Sequence, residues 1–165
     1  MASGSFNIGR KLHYDMIYRR TVPLPANFFL ALVTAANVPN ADMETLGEMV
    51  EIAAGAGYTS GGIAIAPNEI EFPTNAVDEA TDKAVLVMKD QEFTATAGVG
   101  DKIPLTGAGA AYAVLTMPGA TVSTRNVLRW FDLGGPREVS AGQSIRIPAI
   151  CLLYTSDAAD ERSSV

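Results

Sequence analysis

The chain has 165 residues, with 12 Lys and Arg against 18 Asp and Glu, a net charge of −6. This length fits one domain, and 48% hydrophobic against 18% charged residues excludes a largely disordered chain. An acidic chain repels phosphate backbones, and 7% aromatic residues are few for base stacking, so we expect no nucleic-acid partner.

The first 24 residues are predicted to form an N-terminal arm. Phe6–Arg19 carries apolar residues at mixed helical spacing, which predicts a short helix even though Gly9 disfavours its first turn. Pro23 and Pro25 then require extended backbone and end any helix. Because the arm mixes basic and aromatic residues, we expect it to dock on a neighbouring molecule.

Short apolar runs and alternating patterns fill residues 25–150 and predict about eight strands. The clearest are Phe28–Thr34, Tyr58–Ala66, Lys83–Asp90, Glu92–Ala97, Ala110–Met117, Asn126–Leu133 and a last strand over 144–149. Between them, Ala41–Ile52 fits a helix or a strand, Ile70 and Phe72 continue an alternation up to Pro73, and Thr74–Asp82 is predicted as a loop. Since no long helical pattern separates the strands, we predict an all-β domain, an antiparallel β-sandwich or jelly roll.

The strand over Asn126–Leu133 contains the only tryptophan. Strict alternation places Leu128 and Trp130 on one face, and Val127, Arg129 and Phe131 on the other. Trp130 fits a sandwich core, or a platform for a sugar or a partner. Gly134-Gly135-Pro136 is predicted to turn the chain after this strand. Four arginines in or beside the last strands form either a small basic strip or ion pairs with acidic loops: Arg125, Arg129, Arg137 and Arg146.

No motif predicts a catalytic, cofactor or metal site. Gly55–Gly62 is glycine-rich but lacks the third glycine of GxGxxG and the Lys-Ser/Thr of a phosphate loop, so it is predicted to be a tight turn. His13 is the sole histidine and is expected on a helix surface. The acidic pairs Glu69/Glu71 and Asp90/Glu92 would each share a strand face, which leaves open a small carboxylate-dependent hydrolase. Acidic residues 78, 79 and 82 fit a solvated loop.

Residues 151–165 are predicted to be a non-native tail. The run Cys151-Leu-Leu-Tyr-Thr-Ser-Asp-Ala-Ala-Asp-Glu161 resembles the translation of a common transposase-type sequencing adapter over eleven consecutive residues. On that interpretation residues 1–150 contain no cysteine. Their net charge becomes −6 + 3 − 1 = −4, because Asp157, Asp160, Glu161 and Arg162 are removed.

Four segments in order resemble small β-rich virion structural proteins of tailed bacteriophages, of the head-decoration or tail-fibre kind. They are Phe29–Thr34 with the turn to Pro39, Gly47-Glu48 with Gly57-Tyr58, Tyr112–Thr116, and Val127–Gly134 with Val139–Gln143. The resemblance implies a structural role without catalytic residues or a cofactor. It spans about Pro25 to Ile150.

We therefore expect a non-enzymatic bacteriophage virion component at the head, neck or tail. The resemblance implies that it associates with other virion proteins and forms a homo-oligomer, in the virion and in the host cytoplasm during assembly. The alternative is a receptor- or carbohydrate-binding module of a phage tail. A membrane partner is not expected, because the apolar run Phe28–Ala36 is shorter than the ~20 residues a spanning helix needs.

Overall fold

The computed structural model describes residues 3–78, 83–98 and 100–154. The protein is mostly β with one short α-helix, which confirms the all-β prediction with its N-terminal helix. Sandwich or jelly-roll packing stays a prediction. The chain divides into two compact units, Met1–Pro67 with Glu92–Ile147, and Asn68–Gln91 with Pro148–Val165. The predicted domain boundaries after residues 24 and 150 stay predictions.

Twelve strands are formed by the described residues: β1 (Ser3–Ser5), β2 (Phe28–Val33), β3 (Ile63–Ile65), β4 (Thr74–Asp78), β5 (Lys83–Met88), β6 (Gln91–Thr94), β7 (Lys102–Ile103), β8 (Ala110–Thr116), β9 (Val127–Arg137), β10 (Val139–Ser140), β11 (Ser144–Ile147) and β12 (Ile150–Tyr154). The first unit is built on an antiparallel five-stranded sheet in the order β1-β9-β8-β2-β3. β7 pairs with β10, and β6 pairs with β11. The apolar runs predicted as buried strands thus form β2, β5 and β8.

The predicted helix forms α1 (Asn7–Tyr14), which continues as a π-helical turn over Asp15–Arg19. Its inner face buries Leu12 and Asp15. Gly9 lies against the backbone of β9, where a Cβ atom would stand 2.7 Å from the Leu128 carbonyl oxygen. Gly9 therefore weakens the helix locally but permits its close contact with the sheet. No helix among the described residues is long and apolar enough to span a membrane.

Two irregularities in β9 overturn predictions made from strict alternation. Thr116 pairs with Val127 and Leu115 with Arg129, so Leu128 is an extra residue in a bulge. The bulge shifts the side-chain alternation by one residue. Trp130, opposite Val114, therefore shares a face with Val127, and the predicted placement of Val127 with Arg129 and Phe131 is wrong.

The predicted turn at Gly134-Gly135-Pro136 is also wrong as a strand end, because these residues lie within β9. Between Asp132 and Arg137 there are 137 − 132 = 5 steps, opposite 112 − 110 = 2 steps on β8. Both glycines have positive φ, of 81° and 117°, which lets the extra residues leave the ladder while the strand resumes at Arg137.

One buried cluster of the first unit joins residues of the sheet, the arm and the chain after β2. It comprises Phe6, Ala31, Val33, Leu46, Met49, Val114 and Val127. Within Ala41–Ile52, left open above as helix or strand, Leu46–Glu48 forms one 3₁₀ turn with a capping box between Thr45 and Glu48. The last predicted strand forms β11, with Ile145 and Ile147 buried.

The second unit holds the antiparallel sheet β12-β5-β4. The loop predicted over Thr74–Asp82 is wrong for Thr74–Asp78, which pairs with β5 as an edge strand; residues 79–82 lie outside the described part. The expected alternation through Ile70 is also wrong. The Asn68 side chain accepts hydrogen bonds from the amides of Ile70 and Glu71, both at 3.0 Å, and so stabilises a turn. Of the adapter-like run, Cys151–Tyr154 lies in β12, beside β5, and residues 155–165 lie outside the described part.

Candidate functional site

An open groove of about 400 Å³ lies in the first unit beside the 3₁₀ turn. It is lined by Leu46, Gly47, Met49, Glu51, Ser60, Thr121, Val122 and Ser123. Leu46 and Met49 are buried core residues, whereas the hydroxyl groups come from exposed residues of two loops. The one carboxylate in this lining belongs to Glu51.

The Glu51 carboxylate holds the glycine-rich loop Gly55–Gly62. Its Oε1 accepts hydrogen bonds from the Tyr58 hydroxyl at 2.6 Å and from the Gly61 amide, and its Oε2 accepts one from the Ser60 hydroxyl at 2.8 Å. Both oxygens are therefore engaged in holding the loop, which favours an anchoring role over acid–base chemistry. The loop is the tight turn predicted from the sequence, because Gly55 and Tyr58 form a β-bridge.

Tyr58 connects this anchor to the main sheet. Its side chain is 3% exposed, and its hydroxyl accepts a hydrogen bond from the Leu32 amide at 3.0 Å while donating to Glu51. Burial raises the pKa of Tyr58 well above its usual range, and the hydrogen bond to the negatively charged Glu51 raises it further. Tyr58 therefore stays protonated and acts as a donor.

Two of the four arginines considered above bind backbone carbonyls. Arg125 lies 3.8 Å over the Phe29 ring and donates from Nη1 to the Gly61 carbonyl at 2.9 Å, so it joins the loop to β2. Arg137 donates from Nε to the Leu133 carbonyl at 2.8 Å across the irregular part of β9. Of the other two, Arg129 lies on β9 and Arg146 on β11. These contacts give Arg125 and Arg137 structural roles.

Trp130 is packed into the first unit. Its ring meets Phe6 edge to face, with centroids 4.7 Å apart. The backbone at Gly4 covers the indole so closely that a Cβ atom there would stand 2.0 Å from Trp130 Cζ2. This packing favours the core interpretation of Trp130 over the sugar-stacking one.

The acidic pairs do not have the predicted strand geometry. Glu69 and Glu71 lie in the turn after Asn68, so the prediction that they share one strand face is wrong. Glu71 accepts hydrogen bonds from Lys89 at 2.7 Å and Gln91 at 3.0 Å, and the Lys89 ammonium holds the pKa of Glu71 below its usual range.

In the other pair, Asp90 accepts a hydrogen bond from the Ala149 amide at 2.6 Å, and Glu92 lies on β6 with an exposed side chain. His13 lies on α1, as predicted. Within the described residues, no three His, Cys, Asp or Glu side chains are grouped so as to hold a metal ion.

The arm presents an apolar surface to solvent. Tyr14, Ile17 and Tyr18, which we call the arm ridge, are 51%, 50% and 76% exposed. Tyr14 ends α1, Ile17 and Tyr18 lie in the π-helical turn that follows, and the two tyrosine rings lie 6.0 Å apart. Asp15, next to Tyr14, is buried and accepts hydrogen bonds from Lys11 at 2.6 Å and Arg19 at 3.1 Å.

Sequence analysis predicted the helix of the arm but did not predict the Glu51–Tyr58 anchor. These residues are seven apart and form no known motif. The only local signal is an acidic residue just before a glycine-rich turn, whose amides and hydroxyls need an acceptor. Comparison with protein-family models, with curated proteins and with solved structures finds no match to this chain.

Proposed function

We propose that this protein is a non-enzymatic structural component of a tailed-bacteriophage virion, at the head, neck or tail. It acts by association with itself or with other virion proteins, in the virion and in the host cytoplasm during assembly. The observation that carries this proposal is the exposed arm ridge of Tyr14, Ile17 and Tyr18. Clustered exposed aromatic and aliphatic side chains are typical of protein–protein contacts.

The attachment of the arm supports this role, because a fixed surface loses little entropy on binding. Phe6 and Leu12 are buried, and the Phe6 amide donates to the Leu128 carbonyl at 3.2 Å. The ion pairs of Asp15 close the turn that carries Ile17 and Tyr18. The ridge therefore lies on a helix whose first residues are bonded to the rest of the unit and whose last turn is closed by its own ion pairs.

The chemistry of the groove also favours association over turnover. Both carboxylate oxygens of Glu51 accept hydrogen bonds from the Gly55–Gly62 loop, and Tyr58 is held protonated. A general acid–base pair instead needs a group that exchanges a proton near the working pH. This argument supports the non-enzymatic proposal.

Purified virions from the source of this gene provide the test. We expect mass spectrometry to detect peptides of β8 and β9 in nuclease-treated particles, and the neighbouring genes to encode portal, capsid or tail proteins. The proposal would be contradicted if these peptides were found only in the soluble fraction and the neighbouring genes encoded metabolic proteins.

A receptor- or carbohydrate-binding module remains the second candidate, because Tyr14 and Tyr18 are exposed aromatics. A glycan array distinguishes it. Glycan binding by the wild-type protein that is lost in the Tyr14→Ser/Tyr18→Ser variant would favour the module. If the wild-type protein binds no glycan, the assembly role is favoured.

A further inference from the structure

We propose that the arm ridge docks on an acidic, valine-bearing surface of a second copy of this chain. The inference rests on the proposed assembly function and names its partner. It also names the two surfaces that meet, one at the end of the arm and one beside the 3₁₀ turn.

Charge is distributed very unevenly along the chain. The arm, residues 1–24, contains Arg10, Lys11, Arg19 and Arg20 and one acid, Asp15, for a net charge of 4 − 1 = +3. Residues 1–150 carry −4, so the body, residues 25–150, carries −4 − 3 = −7. A basic arm carrying exposed apolar side chains is thus attached to an acidic body, and a second copy offers the complementary charge.

The acidic surface that fits the ridge lies in the stretch between Arg20 and Lys83, which contains no lysine or arginine. Val38 and Val50 are 56% and 45% exposed there. Their segments lie side by side, because the Thr34 amide donates to the Val50 carbonyl at 2.8 Å and the Asn37 side chain donates to the Glu48 carbonyl at 3.0 Å.

Two exposed acids, Glu44 and Glu48, belong to the same stretch. The Glu44 amide donates to the Glu48 carboxylate at 2.8 Å, which places both residues at the same turn. We call Val38, Glu44, Glu48 and Val50 the acceptor patch. It combines apolar side chains with negative charge, as the arm combines the apolar ridge with the positive charge of its basic residues, so each surface supplies what the other lacks.

The contact is made between copies because the two surfaces lie at opposite ends of the arm. The helix begins beside its own acidic segment, where the Asn7 amide donates to the Ala41 carbonyl at 2.8 Å. Tyr14 lies seven residues later, about 10 Å along α1 at a rise of ~1.5 Å per residue, and Ile17 and Tyr18 lie beyond it in the π-helical turn. Joining a ridge to a different surface on the next copy is a head-to-tail contact, which builds rings or filaments.

Sedimentation velocity of the full chain over a wide concentration range tests the proposal. We expect reversible self-association that weakens with added salt, since charge attraction is screened. Ile17→Ser/Tyr18→Ser should weaken the association constant by about tenfold or more. Ile70→Ser is the matched control, because Ile70 is 73% exposed and lies outside both surfaces; it should leave the constant unchanged.

Charge exchange provides the decisive experiment. Arg10→Glu/Arg20→Glu leaves Lys11 and Arg19 to hold Asp15, and Glu44→Lys leaves the Glu48 cap intact. Each variant alone should self-associate less, and an equimolar mixture of the two should form heterodimers. Circular dichroism checks that each variant is folded. If one variant unfolds, the other still tests the proposal, because the two variants change different surfaces.

A wild-type chain that stays monomeric at every concentration overturns the second-copy proposal, while detection of the protein in virions would still support a structural role. Self-association that neither the ridge nor the Glu44 variant weakens also overturns it, because the copies would then meet through other surfaces. Loss of association in Ile70→Ser to the same extent would show that exposed apolar area, and not the ridge, governs it.

Discussion

Replacing Tyr58 with Phe removes one hydroxyl group that serves two partners. The Leu32 amide loses its acceptor at 3.0 Å inside the sheet, and Glu51 loses a donor at 2.6 Å. A buried amide left unpaired costs about 1–3 kcal/mol, and a hydrogen bond to a charged group contributes about 1.5–3 kcal/mol. Because Glu51 keeps its bonds to Gly61 and Ser60, we expect a net loss of about 2–4 kcal/mol.

Urea unfolding followed by the fluorescence of Trp130 measures this loss, since the single tryptophan lies in the same unit as Tyr58. With a slope of about 2 kcal/mol per molar urea, the midpoint should fall by about 1–2 M. Tyr18→Phe is the matched control, because Tyr18 is 76% exposed, and should shift the midpoint little. A loss below about 0.5 kcal/mol for Tyr58→Phe, within the range of ordinary surface substitutions, would refute the anchoring argument.

Two further predictions concern α1 and the 3₁₀ turn. Gly9→Ala gains about 1 kcal/mol of helix propensity, but its Cβ would lie 2.7 Å from the Leu128 carbonyl oxygen. We therefore expect urea unfolding to show a net loss of about 1–3 kcal/mol in the free energy of unfolding. An increase in stability would contradict the close contact. The amides of Glu44 and Thr45 hold the pKa of Glu48 below its usual range, so its stabilisation is present above the unfolded pKa of about 4.3 and is lost as pH falls through the folded value. Glu48→Gln should therefore lose less stability than wild type on acidification from about pH 5 to 3, whereas Glu44→Gln should behave like wild type; equal pH profiles for all three proteins would refute the assignment.

Local sequence patterns identified the strands whose burial is continuous. Phe28–Val33 is apolar over its whole length and Ala110–Thr116 is apolar up to its last residue, so both strands are expected in the interior of a sheet. The turn at Gly55–Gly62 was also predictable, because glycine adopts positive φ readily. Gly61 and Gly62 do so, with φ of 84° and 74°. In each case the determining forces act within a few residues.

Contacts between distant segments decided the rest. The bulge at Leu128 depends on the register between β8 and β9, and it reverses the face on which Val127 lies. β4 is a polar edge strand whose hydrogen bonds come from β5, so its own residues predict a loop. The Glu51–Tyr58 anchor and the separation of the arm ridge from the acceptor patch exist only once β2, the glycine-rich loop and the arm are folded together. Sequence determined which segments must be buried, and tertiary structure decided which polar groups then meet, because a buried polar group is stabilised only by a partner that folding brings to it.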